Sequence, residues 1–132
     1  MATGAVRDVP RIALGLVRLT NGLVAMAVPG FLAQRLGRAG DSPGPSRYVL
    51  RMFGIRTVFL GLDLLTGDEQ RKRKALRRAP IIHASDIAAV VLAGVSRQIP
   101  FRAAAAGFAI SCVNLWLALT ARATANRAGR PD

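Results

Sequence analysis

A chain of 132 residues holds one domain by default, and at 52% hydrophobic with a mean hydropathy of +0.32 this one is greasier than a soluble domain carrying 20% charge. Nineteen Lys and Arg against seven Asp and Glu give +12, yet the acidic i,i+4 partners that a basic soluble bundle sets on its outer faces are missing. One cysteine, Cys112, and one histidine, His83, exclude an internal disulfide, a zinc site, a CxxC redox pair and a multi-histidine metal centre within one chain.

In chain order, the first apolar stretch is Ile12–Val28, "IALGLVRLTNGLVAMAV", with an extension to about residue 33. Pro29-Gly30 ends or kinks it. Arg7 and Arg11 before it and Ala25-Met26-Ala27 within it imitate a signal peptide. Arg18 and Asn21 interrupt the apolar run, so it reads as a retained helix. Residues 34–47, "QRLGRAGDSPGPSR", are a Gly/Pro/Ser-rich loop. The second stretch, 48–66, contains "RMFGIRTVFLGLDLLT", in which Arg51, Arg56 and Asp63 interrupt a lipid-facing composition. A basic loop at 67–78, "GDEQRKRKALRR", follows.

The third stretch, 79–95, "APIIHASDIAAVVLAGV", carries His83 and Asp86 one turn apart. A short turn at 96–102 leads to the fourth, 103–121, "AAAAGFAISCVNLWLALTA", which has no charge and carries Asn114 near its middle. A polar tail occupies 122–132. Each stretch approaches the ~20 residues that cross a bilayer as a helix. The glycines also favour membrane helices over a soluble four-helix bundle. Gly15 and Gly22, then Gly54 and Gly61, repeat at i,i+7, a spacing that lets helices approach closely in lipid. The expected fold is therefore all-α, a single membrane domain over 1–132 built as a four-helix transmembrane bundle with up-down topology.

Orientation follows the Lys/Arg bias. Eleven basic residues fall with the termini and the 67–78 loop, and six fall on the other side (Arg35, Arg38, Arg47, Arg51, Arg97 and Arg102). That bias puts both termini in the cytoplasm, in a bacterial inner membrane. Arg71, Lys72, Arg73, Lys74, Arg77 and Arg78 then read as a contact for anionic lipid headgroups, at ~1 kcal/mol each. Nucleic-acid binding is not expected, because no aromatic residues are interleaved to stack bases.

Arg18, Asn21, Arg56, Asp63, His83, Asp86 and Asn114 form an intramembrane polar cluster in this topology. An unpaired ion at the bilayer centre costs ~2.5–3.5 kcal/mol or more, so the two Arg and two Asp are expected to face inward and pair. Ionisable residues at this depth are a functional-site hypothesis by default. One use is structural, fixing helix register or docking a partner. The other is catalytic, with His83 held by Asp86 exchanging protons. No nucleophile–base dyad, phosphate loop or metal-ligand spacing accompanies them, so no cofactor and no metal are expected.

The segments "RMFGIRTVFLGLDLL" and "HASDIAAVVLAG" resemble the small four-helix membrane proteins grouped as DoxX-like, many of them actinobacterial. The shared features are Arg51–Arg56 as Arg-x-x-Gly-x-Arg, Gly61–Asp63 as Gly-x-Asp and His83–Asp86 as His-x-x-Asp. The likeness covers residues 10–121 in layout and is specific over the second and third stretches. It implies the four-helix membrane fold and no particular reaction; members associated with quinone redox partners suggest an accessory role. The expected function is accordingly a small accessory or assembly subunit of a larger envelope complex, such as a lipid transporter or a respiratory assembly, with membrane lipids and other integral membrane subunits as partners. The alternative is a small membrane enzyme or carrier for a lipid, terpenoid or quinone, with His83 and Asp86 as acid and base.

Overall fold

A computed structural model of the chain describes residues 2–36 and 43–128, and every element among them is an α-helix. These are α1 (Ala2–Ala27), α2 (Pro29–Leu36), α3 (Pro43–Thr66), α4 (Glu69–Val95) and α5 (Phe101–Ala128). Among the described residues, three stretches are long and apolar enough to cross a membrane: Asp8–Ala27, Glu69–Val95 and Phe101–Arg127. Helix α3 is not among them, because every eighteen-residue window in it contains at least three charges drawn from Arg47, Arg51, Arg56 and Asp63.

Local chemistry sets the breaks. Pro29 has no N–H, so the α1 ladder stops and only Val28 separates α1 from α2. The single helix expected over 12–33 is thus two, and the first begins well before residue 12. The loop expected at 34–47 is helical at both flanks, and its centre, residues 37–42, lies outside the described residues. Pro43 opens α3, where a missing N–H costs nothing. The basic loop expected at 67–78 is mostly the start of α4. Asp68 caps it by accepting the Arg71 N–H at 2.8 Å, and Glu69 adds a negative charge at the positive end of the helix. The polar tail continues α5 as far as residue 128, since Ala and Arg are strong helix formers; residues 129–132 lie outside the described ones.

Helix α4 ends in a Schellman motif. Gln98 N–H donates to the Ala93 carbonyl at 2.9 Å and Arg97 N–H to the Gly94 carbonyl at 3.1 Å. The residue between Ser96 and Gln98 must turn left-handed there, and it is Arg97, with φ of 55°.

The glycine repeats meet each other. A Cβ on Gly22 would lie 2.8 Å from the Gly54 carbonyl oxygen and from Val58 N, and one on Gly61 would lie 2.9 Å from Leu19 N. Pairing of 15 with 61 and 22 with 54 makes α1 and α3 antiparallel, with backbones in near contact. Helices α4 and α5 form a second antiparallel pair, closed by Gly107 against Val90 and Gly94 against Ala104. Helix α1 also packs on α5, and α3 packs on α2 and, more sparsely, on α4.

The dry core is small and sits at the end nearest the α3–α4 turn: Leu14, Leu64, Ala75, Leu76, Ala79, Ala118 and Ala121. Most large apolar side chains point outward instead, including Phe59 (64% exposed), Ile81 (69%), Leu92 (66%) and Trp116 (64%). An apolar exterior this extensive is a liability in water and the normal state of a helix in lipid.

Candidate functional site

The site is assembled from α1 and α4. Arg18, about two-thirds of the way along α1, is 4% exposed, and His83, just past the middle of α4, is 3% exposed. Arg18 Nη2 lies 2.7 Å from His83 Nε2. Arginine has no acceptor, so Nε2 must offer its lone pair, and the ring proton resides on Nδ1. Nδ1 faces Asp86 Oδ2 at 3.4 Å, an ion-pair distance without hydrogen-bond alignment. The i,i+3 spacing of His83 and Asp86 puts both on one face of α4, and Asp86 is partly exposed beside the buried ring. The result is a file of three groups: guanidinium, neutral imidazole, carboxylate.

The tautomer constrains the chemistry. A second proton on the ring would land on Nε2 and set two donors against each other. The Arg18 contact therefore exists only with a neutral ring, and His83 cannot bind Arg18 and cycle a proton through Nε2 together. Arg18 Nε and His83 Nδ1 lack a hydrogen-bond partner, although both are buried.

Arg56 and Asp63 are placed differently. Arg56 is exposed on α3, Asp63 is half-buried seven residues on, and neither makes a hydrogen bond or ion pair among the described residues. Seven residues separate their Cα atoms by about 10 Å along the axis, too far for contact along one helix. The expected arrangement of two inward-facing ion pairs is thus not what forms. Arg18 reaches Asp86 through His83, and the charges bearing on Arg18 are those of Asp86 and Arg56.

Asn21 and Asn114 belong to a separate feature. They line an open groove of about 280 Å³ between α1 and α5, together with Val17, Ala109, Ile110 and Val113. Asn114 is 7% exposed and its Oδ1 has no partner. Neither Arg18, His83 nor Asp86 lines this groove.

The basic residues open α4. Lys72 pairs with Glu69 at 3.1 Å and Arg71 with Asp68 at 3.6 Å. Arg73, Lys74, Arg77 and Arg78 are exposed, two i,i+4 pairs on the side opposite buried Ala75, Leu76, Ala79 and Pro80. A functional contact of Arg11 was not anticipated. Its Nη1 donates to the Leu64 carbonyl in the last turn of α3, while its Nε pairs with Asp8 at 3.2 Å. A cation there complements the negative end of α3 and satisfies an orphan carbonyl. The glycine register carried the signal, since Gly15 facing Gly61 and Leu65 brings residue 11 to the end of α3.

Comparison of the chain with protein-family models, with curated proteins and with solved structures finds no match in any of the three.

Proposed function

We propose that this protein is a non-enzymatic accessory subunit of a larger membrane complex, an envelope assembly such as a lipid transporter or a respiratory complex. On this reading α1, α3, α4 and α5 cross a bacterial inner membrane as an up-down bundle. Both termini and the exposed Arg73, Lys74, Arg77 and Arg78 face the cytoplasm, where the basic stripe lies against anionic headgroups. Kinship with DoxX-like proteins is part of the same proposal and rests on the Arg51–Arg56, Gly61–Asp63 and His83–Asp86 segments.

One observation carries the choice over an enzyme: the histidine is sealed, 3% exposed, against an arginine that occupies the nitrogen a general base would use. A buried Arg–His contact serves to lock α1 against α4, the use for which buried polar groups are best attested. The alternative, a carrier or enzyme for a lipid-soluble molecule, draws its support from the α1–α5 groove, which lies apart from the His83–Asp86 pair.

The test is mild detergent extraction at native abundance, followed by size analysis and identification of co-purifying chains. The reading expects a defined assembly several times larger than 14.0 kDa. A protein that leaves intact membranes only as a monomer, or only as a homo-oligomer, would reject it.

A further inference from the structure

Arg56 is a mid-helix cation with no anionic partner among the described residues. It lies in the middle of the 48–66 stretch, eight residues from Tyr48 and ten from Thr66, or about 12 and 15 Å from its ends. The hydrocarbon core is ~30 Å thick, so both headgroup layers lie beyond easy reach of an arginine side chain at that depth. Asp86 already serves Arg18 through His83, and Asp63 stands a full seven residues away. Gly54 and Thr57, on the other side of α3, are buried, with Gly54 closed against α1. One turn to either side of Arg56, Met52 (55% exposed), Phe53 (50%) and Phe59 (64%) face the same way. The outer face of α3 is therefore an apolar strip, as wide as a helix, with the Arg56 guanidinium at its centre and half-buried Asp63 two turns further on.

From this charge mismatch we infer that the outer face of α3 docks a transmembrane helix of a partner that carries a single carboxylate at mid-span. The inference rests on the subunit reading above and names the partner's chemistry. Arg56 touches no carboxylate of this chain among the described residues, so an acid from outside offsets its charge in a medium where an uncompensated cation is costly. A lipid phosphate does not fit this depth. The apolar strip gives the partner helix its packing, and the single charge fixes its depth and rotation.

The experiment uses the full chain in phosphatidylcholine vesicles with synthetic polyleucine transmembrane peptides bearing Glu, Gln or Leu at the central position, and reads association by energy transfer. The Glu peptide is expected to bind about tenfold more tightly than the Leu peptide. Arg56→Gln should abolish that preference without loss of helix content, and Arg56→Glu should transfer it to a Lys peptide. Equal association of the three peptides overturns the inference, as does a Glu preference that survives Arg56→Gln. A preference that appears only when anionic lipid or free fatty acid replaces the peptide also overturns it. Equal peptide binding with co-purifying chains still present sinks the inference and spares the subunit reading. A Glu preference on a protein that extracts as a monomer does the reverse.

Discussion

Placing one methyl group on Gly54 is expected to destabilise the fold although it improves the helix. In an exposed helix interior Gly→Ala gains up to ~1 kcal/mol, because alanine loses less backbone entropy. Here the new Cβ would meet the Gly22 carbonyl oxygen at 2.7 Å and Met26 N at 3.0 Å. Both are backbone atoms that cannot rotate aside, so α1 and α3 must separate by several tenths of an ångström along their length. Overpacking of this kind costs ~1–3 kcal/mol, and the weak contacts between the close backbones are lost as well. The net expectation for Gly54→Ala is a loss of about 1–2 kcal/mol. Gly22→Ala should behave alike, since its Cβ meets the Gly54 carbonyl and Val58 N at 2.8 Å. Gly15→Ala is the internal control. Its closest neighbours are the Leu65 Cγ and Cδ2 atoms at 2.8 Å, a side chain that can move, so its effect should stay within about 0.5 kcal/mol of zero. The double variant Gly22→Ala/Gly54→Ala should cost less than the two singles together, because the helices separate only once. Reversible unfolding in mixed micelles, followed by circular dichroism, measures all four. Gly54→Ala as stable as the parent, or Gly15→Ala as damaging as Gly54→Ala, would refute the reasoning.

Three further outcomes follow from other parts of the molecule. His83→Gln places an acceptor where Nε2 meets Arg18 and should keep membrane abundance and complement a deletion strain, whereas His83→Ala leaves a buried guanidinium unpaired and should lose about 3 kcal/mol and much of its abundance; normal abundance of His83→Gln with no complementation would instead reveal a titrating imidazole and reject the accessory reading. Arg97→Gly removes a side chain from a left-handed position and should raise stability by about 0.5–1 kcal/mol in the same micelle assay. In a Cys112→Ala background, cysteine at Lys74 should react with an impermeant maleimide only from the cytoplasm and cysteine at Ser96 only from outside; the reverse pattern overturns the proposed orientation.

How much of this was legible without coordinates depended on whether the signal was periodic. The i,i+7 glycines announce a close helix pair from their spacing alone, because only a residue without Cβ suits a backbone contact repeated every two turns. His83 and Asp86 share a face by the same arithmetic. Helix ends were less legible. The run "GDEQRKRKALRR" looks like a loop on charge, yet Asp68 followed by Glu69 is a capping signal and Arg, Lys, Ala and Leu are strong helix formers. Charge pairing was the least legible feature. Counting two Arg and two Asp suggests neutrality, but pairing is decided by rotation about each helix axis. Gly54 and Gly61 set that rotation for α3 by turning their own face toward α1, which leaves Arg56 on the exposed side.

That same rotation explains why a greasy helix tolerates its charges unequally. On α1, Leu14, Gly15, Arg18, Gly22 and Ala25 are all buried, so close helix packing and the Arg18–His83 contact are served by one stripe. Exchanging Arg18 for the shorter, apolar leucine is therefore expected to be tolerated by the bundle more easily than removing His83. It removes the donor and the charge together, and it leaves behind a neutral ring whose Nε2 loses its donor and whose Nδ1–H still faces Asp86, a smaller loss than an unpaired buried charge. Arg18→Leu should cost about 1–2 kcal/mol in micelles, less than His83→Ala, and the double variant Arg18→Leu/His83→Ala should be more stable than His83→Ala alone. If the double variant is instead the weaker of the two, Arg18 is held by groups other than His83, and the reading of this contact as a lock between α1 and α4 fails.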